Sequence, residues 1–122
     1  MVAAAAPLGK GAEAIMANDI AVVSPQGRLD SVTSRNFERD LLENIDSGAT
    51  RLLIDFSKLD YISSAGLRSV LLAAKRIRAS GGRMALCSLN RQIAEVFDIS
   101  GFSSILDIQP SYDAAVTRLS AP

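Results

Sequence analysis

The segment Arg51-Leu52-Leu53-Ile54-Asp55-Phe56 constrains this chain more than any other, because it is almost continuously apolar, too short for a helix and without alternation. A strand of that kind has to be covered on both faces, which places it at the centre of a sheet with helices packed on it. The segments that follow fit this frame. A helix starting at Ser63-Ser64 carries Leu67, Val70, Leu71, Ala74 and Ile77 on one stripe, keeps Arg68, Lys75, Arg76 and Arg78 on other faces, and ends at Gly81-Gly82. Arg83 to Ser88 reads as another strand. Asn90 then caps a short helix through Ile93, Val96 and Phe97 that stops near Ser100-Gly101. Ser104 to Ile108 is expected to be a last short strand, and Pro110-Ser111 opens a terminal helix through Ala114, Ala115, Val116 and Leu119. Strands alternating with helices imply right-handed crossovers and parallel neighbours.

Ahead of this region, Ile20 to Val23 reads as a strand closed by the turn Ser24-Pro25-Gln26-Gly27. A weaker strand around Ala12 to Met16, joined through Asn18-Asp19, adds an antiparallel edge. Asp30 or Ser31 can cap a first helix that carries Val32, Phe37, Leu41, Leu42 and Ile45 at helical spacing until Ser47-Gly48. The expected fold class is α/β, a single domain over residues 12–120, preceded by a flexible segment, residues 1–11. Its sheet is mixed, of about four to five strands, with helices packed on it. At 122 residues such a domain can bury a core without metals or disulfides.

Several chemistries are excluded by residue content. The chain has no His, which removes Ser–His, Cys–His and His-based metal sites. Gly9-Lys10-Gly11 lacks the strand and the following Ser or Thr of a nucleotide-phosphate loop. No metal and no cofactor are expected, and the chain does not read as an enzyme. With 13 basic and 13 acidic residues there is no net field to draw nucleic acid or an anionic membrane, so a protein partner or a small ligand is favoured. No apolar run is long enough to span a membrane, and Met1 to Leu8 does not read as a secretion signal, so the expected location is cytoplasmic. Cys87, the single cysteine, sits in the apolar run Met84-Ala85-Leu86-Cys87 as a small core residue. Asp55 and Asp60 lie beside a strand end and in a turn, where Asp ordinarily bonds nearby backbone.

The serine pair is more informative. Ser63 and Ser64 stand at a helix start, where backbone N–H groups lack intrahelical partners and the macrodipole is positive. Either can be a simple cap, and a hydroxyl there can also carry a phosphate. Gly66 costs about 1 kcal/mol relative to Ala inside a helix, so its place in the first turn implies that another surface approaches closely.

Asp55-Phe56-Ser57 followed by Tyr61-Ile62-Ser63-Ser64-Ala65-Gly66-Leu67, then Gly81-Gly82-Arg83-Met84 and Phe97-Asp98-Ile99-Ser100-Gly101-Phe102, resembles the STAS domain of bacterial anti-sigma factor antagonists. Upstream, Gly27-Arg28-Leu29-Asp30 with Thr33 resembles the family's Gly-x-Leu-Asp turn into its first helix. The resemblance implies a partner-switching protein that binds a serine-kinase anti-sigma factor when unphosphorylated and is released by phosphorylation; a serine phosphatase reverses the change. The family's acceptor position falls on Ser64, with Ser63, which stands where the family often has Asp, as the alternative. The implied partner-binding residues are Asp30, Thr33, Ser63, Ser64, Gly66 and Leu67, Asp30 having an equal reading as a plain cap. A second reading is an accessory STAS subunit of a transport or sensory complex with a vestigial serine site.

Overall fold

The computed structural model describes residues 14–17 and 19–121, so the segment 1–11 and part of the first expected strand lie outside the described residues. Strands β1 (Ala14–Ala17), β2 (Ile20–Val23), β4 (Arg51–Asp55), β6 (Arg83–Cys87) and β7 (Asp107–Gln109) form one sheet in the order β1-β2-β4-β6-β7. β1 runs antiparallel to β2, and the other neighbours are parallel. The mixed sheet with an antiparallel edge is therefore the one the sequence implies, and the apolar run of β4 sits at its centre. Leu52, Leu53 and Ile54 have no exposed surface.

Side chains alternate between the two faces of the sheet. Ala21, Val23, Leu52, Ile54 and Leu86 point to one face, where they meet Phe37, Leu41 and Ile45 of α1 (Thr33–Asp46), Val70, Ala73 and Ile77 of α2 (Ser64–Ala79), and Ile93 and Phe97 of α3 (Arg91–Ile99). Ile20, Val22, Leu53, Ala85 and Cys87 point to the other, against Ala115 and Leu119 of α4 (Tyr112–Ser120). Arg83 fastens the end of α4 by donating to the carbonyls of Arg118 and Ala121. Ser111 and Asn90 cap α4 and α3 through the N–H groups of Ala114 and Ile93.

Three expectations need correction. Gly27 to Leu29 is a strand, β3, where a turn was expected, and Leu59 to Ile62 is a strand, β5, inside what reads as a connecting turn. The two pair in parallel as a separate ribbon, with a register shift at Gly27/Arg28. They are held because Leu29, Leu59 and Ile62 are anchored in the α1–α2–α3 core. The last strand begins later than expected: residues 102–104 form a 3-10 turn, and β7 starts only at Asp107. That turn is closed by Phe102, whose carbonyl accepts from both Ile105 and Leu106.

Candidate functional site

The ribbon brings together the two loops that the sequence marks. Leu29 and Ile62 are direct parallel partners, so the residues after them, Asp30 and Ser63, emerge side by side at the same end of neighbouring strands. The N–H of Ser63 donates to the carbonyl of Leu29 at 2.8 Å, extending the pairing by one residue. Each strand then turns directly into a helix, α1 from Asp30 and α2 from Ser63.

Asp30 closes the front of α1 twice over. Its carboxylate accepts the N–H groups of Val32 and Thr33, both at 2.9 Å, and its carbonyl accepts the N–H of Ser34 at 3.0 Å. In return the Thr33 hydroxyl oxygen accepts the N–H of Asp30 at 2.9 Å and donates to the carbonyl of Arg28 at 2.7 Å. This is a reciprocal cap of the type in which two end groups satisfy each other. The backbone N–H of Thr33, then that of Val32, then the Thr33 hydroxyl hold the Asp30 carboxyl below its ordinary value of 3.8, and the nearby Arg28 charge acts in the same direction. Asp30 is thus a structural cap and, being on the surface, still presents negative charge.

The serines divide differently. Ser63 is extended, with φ −92° and ψ 175°, and its hydroxyl oxygen accepts the N–H of Gly66 at 3.3 Å while its carbonyl accepts that of Leu67 at 3.0 Å. Ser63 is the cap. Ser64 is the first residue of α2, it is exposed, and its hydroxyl bonds to no described residue. No acidic residue lies in the first turn of α2, so the positive end of the helix is uncompensated there.

Gly66 and Leu67 face inward. A Cβ on Gly66 would lie 2.7 Å from Ile62 Cγ1 and 3.0 Å from Leu29 Cβ, so the surface that demands this glycine is the ribbon itself. Leu67 is 8% exposed and belongs to the core. Both residues place the Ser64 turn, whereas Asp30, Thr33 and Ser64 supply its surface.

Sequence reasoning passed over the side chains beside this edge. Arg28 lies over the Tyr61 ring at 4.3 Å from its centroid, across the ribbon, in cation–π geometry. Val32, expected on the apolar stripe of the first helix, instead precedes α1 and is 72% exposed, two residues after Asp30. The signal available for Tyr61 was the apolar pair Leu59 and Ile62, which are buried on either side of exposed Asp60 and Tyr61. Among the described residues no cluster of three or more Cys, Asp or Glu is placed to hold a metal ion, and no helix is long and apolar enough to cross a membrane.

The STAS domain profile matches residues 12–115. The chain is 46% identical over 90 residues to BtrV of Bordetella bronchiseptica, described as a candidate anti-sigma factor antagonist, covering 74% of this chain and 78% of that protein. It is 30% identical over 101 residues to the anti-sigma F factor antagonist of Paenibacillus polymyxa, covering 82% and 84% of the two chains. A crystal structure of a candidate anti-sigma factor antagonist from Thermotoga maritima shares the fold with a TM-score of 0.85 at 21% identity, over 90% of this chain and 95% of that one.

Proposed function

The chain belongs to the STAS domain family, and from that membership we propose that it is an anti-sigma factor antagonist, not an enzyme, working by partner switching in the cytoplasm. Unphosphorylated, it binds a serine-kinase anti-sigma factor through the edge formed by Asp30, Thr33 and the Ser63–Ser64 turn, with Gly66 and Leu67 supporting that turn from beneath. The kinase ends the association by modifying Ser64. The Ser64 hydroxyl oxygen takes the γ-phosphoryl group of ATP, its proton passes to a base on the kinase, and ADP leaves. A serine phosphatase restores the binding form.

The observation that carries this reading is the division of work between the serines. Ser63 is committed to the cap, while Ser64 is exposed and unengaged at the positive end of α2. Phosphate adds about −1.5 to −2 charges. The fold accommodates them at a helix N-terminus, but a docked partner has to desolvate them. A penalty of roughly 4 kcal/mol weakens association about a thousandfold, so the switch requires no unfolding.

Calorimetry against the serine-kinase anti-sigma factors of the source genome, followed by phosphopeptide mapping with ATP, tests both halves. Stoichiometric binding and phosphate on Ser64 are expected, with Ser64→Ala binding but resisting phosphorylation and Ser64→Asp binding poorly. Phosphate on Ser63, or tight binding by Ser64→Asp, removes Ser64 as the switch. Binding to none of the kinases favours the accessory-subunit reading.

A further inference from the structure

Beside the Ser64 turn, the first halves of α1 and α2 enclose an open groove of about 270 Å³, lined by Ser31, Ser34, Arg35, Glu38, Ala65, Arg68 and Ser69. Arg35 and Arg68 are exposed, stand on opposite helices, and form no ion pair with a described residue. Glu38 brings one negative charge to the lining, and its carboxylate accepts the Ser69 hydroxyl at 3.1 Å. Ser34, also in the lining, is only 3% exposed, and its hydroxyl has no hydrogen-bond partner among the described residues. Buried polar groups ordinarily have a hydrogen-bond partner.

The helix geometry supplies an occupant. Ser64 and Arg68 are four residues apart on α2, so their Cβ atoms face the same side about 5–6 Å apart. Arg68 is itself part of the groove lining, and its guanidinium offers the planar fork that matches phosphate oxygens. We infer that this groove is the intramolecular receptor for a phosphoryl group on Ser64, with Arg68 as its principal partner and Arg35 closing on it from α1. The inference rests on Ser64 being the modified residue. It adds a consequence: the modified form holds its phosphate against its own surface, so the two arginines are withdrawn from any partner at the moment the negative charge appears.

The test uses the full chain with phosphoserine installed at position 64 during synthesis, so that it does not depend on any kinase. Phosphorus NMR titration reads the second ionisation of the phosphate, near pH 6 when free. Arg68→Gln is expected to raise that midpoint by about one unit, Arg35→Gln by less, and Arg68→Lys is expected to keep most of the depression. Hydrolysis by a broad-specificity phosphatase is expected to be several-fold faster for Arg68→Gln. Identical titrations for the parent and the Arg35→Gln/Arg68→Gln double variant overturn the inference. So does saturable binding of millimolar inorganic phosphate to the unmodified chain, which makes the groove a general phosphate site. A kinase that ignores Ser64 would instead overturn the proposed function and leave these titrations standing.

Discussion

Ser63 and Ser64 are chemically identical neighbours, and only backbone conformation separates their roles. Because Ser63 accepts the Gly66 N–H, Ser63→Ala is expected to cost about 0.5–2 kcal/mol. Ser64→Ala, which removes no bond to a described residue, is expected to stay within about 0.5 kcal/mol of the parent. Urea unfolding of the two variants checks this, and a larger loss from Ser64→Ala would show that the cap had been assigned to the wrong residue. Asp30 adds a pH signature. Its folded carboxyl ionises below 3.8, so the stability it contributes is complete above that value and disappears as pH falls through the folded pKa. Asp30→Asn is therefore expected to flatten the acid limb of the stability curve measured as pH falls below 3.8. An unchanged limb would mean that the cap is as strong in the unfolded chain as in the native one.

At the scale of elements, the ribbon β3–β5 decides where both helices begin. Gly66 is its gauge, since a methyl group there meets Ile62 and Leu29. Overpacking of this kind costs about 1–3 kcal/mol, against the roughly 1 kcal/mol that Ala gains over Gly in a helix. Gly66→Ala is expected to be net destabilising in thermal melts, and a rise in midpoint would show that the ribbon yields. The main sheet and its helices were legible because β4 is a continuous apolar run and the helices carry long apolar stripes. The ribbon was not, because its strands are three and four residues long and are flanked by turn residues. Their pairing depends on Leu29, Leu59 and Ile62 reaching a shared core, a long-range fact that local pattern does not carry. Similarly, Asp30 and Ser64 could each be marked in sequence, whereas Arg35 across from Arg68 depends on how α1 crosses α2.

For the whole molecule, the sheet is covered unequally, with three helices on one face and α4 on the other. Cys87 lies under α4, without exposed surface, and burial pushes its thiol up to about 11. Between the ordinary value of 9.0 and that value the native state keeps a proton that the unfolded chain releases, so stability falls as pH rises across this window. Alkylation of the folded protein at pH 8 is expected to be negligible and to appear only on unfolding; rapid labelling would show that α4 opens. The ribbon, finally, has a consequence for the thermodynamics of association. It ties both helix starts to each other and to the core before any partner arrives, so docking at this edge has little chain left to order. The heat capacity change on binding should then reflect only the apolar area covered, without the excess that accompanies coupled folding.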